Sequence, residues 1–161
     1  MILAFDPGDH TGYCVMDDHR IIETGEIRYP QKKSIKHLEE LIYMNNIGTI
    51  YEKYRPIAVI IEENFMGRFI AVVKALTKKL TLIRIAIKLR YEDALIITPT
   101  PSEWKALLDI PQKTKFDQRP EKEKVLTRIK QLIPGYSIDN EHITDAVAMC
   151  LAYEGRVRVK L

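Results

Sequence analysis

The sequence predicts an α/β fold built on a mixed five-stranded sheet, three antiparallel strands followed by parallel ones, flanked by helices. Two continuous apolar runs carry this expectation, residues 1–5 and 57–61, each closed by acids, Asp6 and Glu62-Glu63. Such runs read as strands buried on both faces. A helical pattern lies between them, which implies a crossover and a parallel pairing of the two strands. A third observation, two alternating segments joined by a turn directly after the first run, adds an antiparallel meander.

In chain order, residues 1–5 are stopped by the turn Asp6-Pro7-Gly8. Beyond Thr11-Gly12, residues 13–16 and 20–28 read as two further strands joined at Asp17-Asp18. Ile35, Leu38, Leu41, Ile42 and Ile50 approximate helical spacing over 34–54, with Asn45-Asn46 and Gly48 as the place where that helix would break and Pro56 as its end. The strand at 57–61 then brings Asp6 and Glu62 to the same edge of the sheet.

Residues 66–90 read as a long amphipathic helix. Steps of 100° place Lys74, Thr77, Lys78, Thr81, Arg84 and Lys88 on one face, with Val73, Leu76, Leu80, Ile83 and Ile87 opposite. Seven Lys or Arg residues, Arg68 among them, and no acid lie between Asn64 and Tyr91. Such a face is either simply solvated or a phosphate-binding surface. A second apolar stripe, Ala71, Ala75, Leu82, Ile85 and Leu89, is spaced like the seam of two packed helices and predicts a symmetric homodimer.

Residues 95–98 form a short strand, and Thr100-Pro101-Ser102-Glu103 is a helix-start signature for a helix through Leu108. Residues 111–120 read as a basic loop containing Lys113, Lys115 and Arg119. A short helix over 121–132 ends at Pro134-Gly135, and a last helix over 139–153 is followed by a tail in which Arg156, Arg158 and Lys160 alternate with valines.

At 161 residues, 46% hydrophobic and 29% charged, the chain is expected to form a single domain, 1–161. The net charge of +3 neither demands nor excludes nucleic acid, so any basic footprint must be local. Cys14 and Cys150 lack the paired spacing of a zinc or redox motif and read as buried apolar groups in a reducing compartment. No cationic segment followed by an apolar run opens the chain, and no uncharged stretch approaches the roughly 18 residues of a membrane helix. The expected setting is intracellular, in the cytoplasm (of a host cell if the source is viral), with no membrane partner.

Three elements deliver polar groups that can converge: Asp6 after the first strand, Glu62 after the second buried strand, and His142 with Asp145 three residues apart on one face of the last helix. Ligand sites of open α/β sheets lie beyond the carboxyl ends of parallel strands, and clustered carboxylates repel unless a cation neutralises them. Oxygen ligands suit magnesium or manganese, and two such ions about 3.5–4 Å apart are the arrangement that hydrolyses phosphodiesters. Taken singly, Asp6 could cap a turn, Glu62 could end a strand in solvent, and His142 and Asp145 could serve the fold.

These residues resemble the RuvC-like Holliday junction resolvases of the RNase H superfamily. Ile2-Leu3-Ala4-Phe5-Asp6-Pro7-Gly8 with Thr11-Gly12-Tyr13 is similar to that family's first motif, Ile61-Glu62-Glu63-Asn64-Phe65-Met66 to its second, and His142-Ile143-Thr144-Asp145-Ala146-Val147-Ala148 to its last. The resemblance implies an RNase H-like fold and a homodimeric endonuclease acting on branched DNA, the Holliday junction, with two magnesium or manganese ions per active site. It implies Asp6, Glu62, His142 and Asp145 as metal ligands and Phe65 as an aromatic working on bases at the junction. Lys122 and Lys105 fall where the family uses lysines before the last helix; Lys122 is expected to serve catalysis as well as DNA. Arg68, Lys74, Lys78, Lys113, Lys115 and Arg119 are expected to hold phosphates.

Two features depart from the family pattern: the Asp6–Gly12 loop is one residue shorter than the common bacterial form, and His142 stands where many members have Asp. A neutral imidazole in an otherwise carboxylate site favours manganese over magnesium. Glu63 points away from Glu62 because neighbours along a strand alternate faces. Two other readings remain open: an RNase H-like nuclease for other branched or hybrid substrates, and a junction-binding module without catalysis. The Asp-x-Gly loop also occurs in actin-like ATPases, but 161 residues leave no room for their second domain.

Overall fold

The structure, a computed structural model, describes residues 1–29, 36–63, 70–111, 119–138 and 140–158, with the backbone alone for Lys36 and Arg158. Its elements are β1 (Ile2–Asp6), β2 (His10–Asp17), β3 (Arg20–Arg28), α1 (Lys36–Tyr54), β4 (Ala58–Ile61), α2 (Ile70–Lys88), β5 (Ile96–Ile97), α3 (Pro101–Leu107), α4 (Glu121–Leu132) and α5 (Glu141–Arg158). The strands form one sheet in the order β3-β2-β1-β4-β5. β1 pairs antiparallel with β2 and parallel with β4, β2 and β3 are antiparallel, and β4 and β5 are parallel.

The apolar runs of β1 and β4 occupy the centre because both faces of the sheet are covered. Along β1, Ile2 and Ala4 face a core completed by Trp104 of α3, Val125 and Ile129 of α4 and the apolar side of α5. Leu3 and Phe5 face the opposite core, with Tyr43 and Ile47 of α1 and Leu80, Ile83 and Ile87 of α2. The two-residue alternation of a strand thus sorts one hydrophobic run into two layers. Cys14 and Cys150 are buried and unoxidised, with Cys150 Sγ 3.4 Å from the Cys14 carbonyl oxygen.

Two sequence expectations are corrected. The first helix is continuous through Asn45-Asn46 and Gly48. Arg90 crosses it at this point and bonds Asn45 Oδ1 at 2.9 Å, and a Cβ on Gly48 would stand 2.0 Å from the guanidinium carbon. Gly48 therefore makes room for a cross-helix contact and does not end the helix. The expected basic tail after residue 153 is, through Arg158, a continuation of α5 held by Val157, which packs into the core; Lys160 lies outside the described residues. Thr100 caps α3 with the expected reciprocal box: its hydroxyl accepts from Glu103 N–H while the Glu103 carboxylate accepts from Thr100 N–H. Among the described residues, no helix is long and apolar enough to cross a membrane.

Candidate active site

Asp6 ends β1, where Pro7-Gly8 turns the chain away from the sheet. The parallel register sets Phe5 opposite Ile61, and Glu62 N–H donates to the Phe5 carbonyl at 3.1 Å. Asp6 and Glu62 are therefore adjacent at the carboxyl ends of the two central strands. Glu63 is exposed, as strand alternation requires, and its N–H bonds Pro99 O at 2.8 Å.

The third element, α5, reaches this edge because β2 lets it approach. A Cβ on Gly12 would lie 2.2 Å from the His142 carbonyl group, so only glycine permits this backbone contact. Asn140 fixes the start of the helix: its Oδ1 accepts from Ile143 N–H at 3.1 Å and its Nδ2 donates to Glu26 at 3.1 Å. In this position His142 Nδ1 meets Asp6 Oδ2 at 2.7 Å, and Asp145, one turn on, interacts electrostatically with Asp6 and Glu62.

The electrostatics of the cluster follow from burial without enough counter-charge. Loss of water, then the Asp6 charge, pushes the Glu62 carboxyl from its ordinary 4.5 up to about 8, although the Trp104 hydrogen bond and Lys105 pull the other way. Burial and Asp6 likewise push Asp145 from 3.8 up to about 7, opposed by Lys105. His142 is raised above its ordinary 6.5 by the Asp6 hydrogen bond. Lys105 Nζ pairs with Glu121 at 2.9 Å and lies 4.9 Å from the centre of the Trp104 ring. Lys122 pairs with Glu141, and both line a cleft of about 100 Å³ that Asp145 also borders.

Among the described residues, no group of three His, Cys, Asp or Glu side chains is drawn tightly enough to hold an ion as it stands. Their chemistry nevertheless fits a hard divalent cation. Three acids and an imidazole meet at one strand edge, and the mutual repulsion that raises Glu62 and Asp145 is what such a cation would relieve.

Of the expected DNA contacts, Lys74, Lys78 and Arg119 are exposed, and Lys78 bonds Glu40 at 2.6 Å. Phe65, Arg68, Lys113 and Lys115 lie outside the described residues. Two neighbours of the acids escaped sequence reasoning. Trp104, wholly buried, donates its indole N–H to Glu62 Oε2 at 2.8 Å. His10 stacks on His142 with ring centroids 6.5 Å apart and bonds Glu26 at 2.5 Å. Both left a signal: a buried indole needs an acceptor, and His10 shares the strand face of Gly12.

No protein-family model matches the chain. It is 24% identical over 159 residues to the crossover junction endodeoxyribonuclease RuvC of Dictyoglomus thermophilum, with 95% of each chain covered. In fold it is similar to Thermus thermophilus RuvC, solved in complex with a Holliday junction substrate: TM-score 0.76 at 16% identity, covering 98% of this chain and 95% of that one. The yeast mitochondrial Holliday junction resolvase Ydc2 follows at a TM-score of 0.57 and 11% identity, covering 98% of this chain and 82% of that one. The chain is thus RuvC-like in sequence over nearly its whole length, and its sheet and helices are those of the RuvC form of the RNase H-like fold.

Proposed function

We propose that the protein is a Holliday junction resolvase, a divalent-metal-dependent endodeoxyribonuclease that cuts branched DNA. The observation that carries this reading is the meeting of Asp6, Glu62 and Asp145, from three separate elements, at one strand edge of a RuvC-like fold. Asp6, Glu62, Asp145 and His142 would hold the metal, magnesium or manganese, two ions per site. The chemistry such ions supply is activation of water and stabilisation of the leaving oxygen in phosphodiester hydrolysis.

The chain's own side chains do the rest. The carboxylates are half-buried, which limits the water around them, and Trp104 orients Glu62 through one oxygen, leaving the other to a ligand. Lys105 and Lys122, each now held by a glutamate, are placed to exchange those partners for DNA phosphates, as are Lys74, Lys78 and Arg119. Ile85 on α2 and Leu89 just past its end remain exposed, which supports a homodimer through that face and two cuts on symmetry-related strands, whereas Leu82 of the expected stripe packs against the core instead.

The test is a synthetic four-way junction incubated with the protein and each metal in turn. Paired nicks near the branch that need a divalent ion are the expected result. Binding without nicking would leave a junction-binding module, and faster cutting of flaps or RNA–DNA hybrids would leave another nuclease of this fold. The imidazole predicts that manganese supports cleavage at lower concentration than magnesium and that His142→Asp narrows the difference. Equal metal midpoints in the two proteins would remove His142 from the metal site.

A further inference from the structure

We infer that Lys79 is a positioning residue for the turn that carries Asp6, acting from the opposite layer of the molecule; the inference rests on the nuclease reading above. Lys79 sits in the basic stretch of α2, whose Lys74, Lys78, Arg84 and Lys88 are exposed, yet its own side chain is only 6% exposed. Its Nζ donates to Asp9 Oδ1 at 2.5 Å and lies 5.1 Å from the centre of the Tyr29 ring.

Asp9 belongs to the β1–β2 turn, three residues beyond Asp6, and the turn is braced at several points from the α1 and α2 side. The Asp9 carbonyl accepts from Tyr29 N–H at 2.8 Å. Thr11 Oγ1 bonds the Gly8 carbonyl at 3.2 Å and the Tyr43 hydroxyl at 2.7 Å. On its other side the turn abuts the imidazole of His142, whose Cε1 would lie 3.4 Å from a Cβ on Gly8. A shift of this turn therefore moves Asp6 relative to His142, Glu62 and Asp145.

Stability alone does not account for a lysine at this place. Burying an ammonium costs more than burying a methionine of similar length, and ion pairs of this kind are weak contributors to folding. The side chain has a different consequence. It ties the helix that bears the basic face and the exposed Ile85 to the turn that sets the first acid.

The experiment compares wild type, Lys79→Met and Lys79→Arg by single-turnover cleavage at saturating junction, by junction affinity without divalent ion, and by amide exchange of Gly8, Asp9 and His10. Lys79→Met is expected to keep its Tm and junction affinity. Its rate should fall about 10-fold to 100-fold, the cost of misplacing reacting groups by a fraction of an ångström to an ångström. Exchange at the three amides should rise, and Lys79→Arg should restore rate and protection together. Should Lys79→Met fail to fold, Asp9→Ala cuts the same tie from the solvent side and must show the same loss. A wild-type rate in whichever folded variant lacks the tie, or unchanged amide exchange, overturns the inference. If wild type itself does not cut the junction, the nuclease reading fails, and the exchange data report separately whether Lys79 holds the turn.

Discussion

Two carboxylate clusters in this molecule are built in opposite ways. Glu23, on β3, accepts from Tyr13 at 2.8 Å, from Lys53 at 2.6 Å and from Tyr54. Those donors, Lys53 and Tyr54 first, hold its carboxyl down at about 2. Glu62 and Asp145, at the other end of β1, are half-buried beside Asp6, and loss of water with the Asp6 charge pushes them up to about 8 and about 7. In the first cluster donors outnumber the charge they serve. In the second, charges are gathered without sufficient donors, an arrangement that works against folding and is kept where chemistry requires it.

The largest expected effect separates the clusters by activity. Glu62→Gln or Asp145→Asn should lower junction cleavage by more than about 10²-fold, since loss of a group that merely supports a metal ligand already costs 10–100-fold. The same variants should bind the junction as wild type does, because the lysines and arginine proposed to hold phosphates lie elsewhere, and should melt no lower than wild type in metal-free buffer. Glu23→Gln should cut at the wild-type rate. A gel assay of cleavage and of binding, with melting curves, decides all of these, and a normal rate in Asp145→Asn would remove that acid from the site.

Next in size is Trp104→Phe, which keeps an aromatic ring in the core but removes the pyrrole ring that carries the donor to Glu62. Cleavage is expected to fall about 10-fold to 100-fold, with a lower Tm from the cavity left in the core but a folded protein at the assay temperature. A wild-type cleavage rate in the folded variant, with only the Tm lowered, would make Trp104 a packing residue only.

Divalent ion should raise the Tm of wild type, by the equivalent of about 2.7 kcal/mol at a hundredfold excess over Kd. It should not raise that of Glu62→Gln to the same extent, and equal shifts would place the metal elsewhere.

The smallest effects are those of pH on metal-free stability, and here the clusters oppose each other. The folded protein takes a proton on Glu62 near pH 8 and on Asp145 near pH 7, whereas the unfolded chain does so near 4.5 and 3.8. Acidification from about pH 8 toward 4.5 thus favours the folded state through these groups. Glu23 takes its proton at 4.5 when unfolded and at about 2 when folded, so its contribution is present above 4.5 and lost as pH falls toward 2. Chemical denaturation across pH should show stability rising and then falling on acidification. Saturating metal should flatten the rise, and Glu23→Gln should weaken the fall while lowering Tm at neutral pH by about 2–4 °C per kcal/mol lost. A rise on acidification that persists in Glu62→Gln/Asp145→Asn would assign it to other groups.

Much of this arrangement is legible in the amino-acid sequence. The runs at 1–5 and 57–61 placed Asp6 and Glu62 at one edge because a strand buried on both faces has a single reading, and a crossover helix makes its pairing parallel. The capping box at Thr100 and the bounds of α4 followed from local hydrogen-bonding chemistry, which depends on neighbours in the sequence. Gly48 misled because glycine weakens an isolated helix, and nothing local announces that Arg90 will lie across it.

What the amino-acid sequence determined by itself was periodicity, caps, and the presence of three acids in three elements. Tertiary structure alone decided which side chains those acids meet: the Trp104 donor to Glu62, the His10–His142 stack and the inward turn of Lys79. The physical reason lies in what a helical or strand period specifies. It fixes the face on which a side chain stands, but burial and charge pairing depend on the element packed against that face. A lysine among six other cations is indistinguishable in sequence from its solvated neighbours until the β1–β2 turn is laid over it and supplies Asp9.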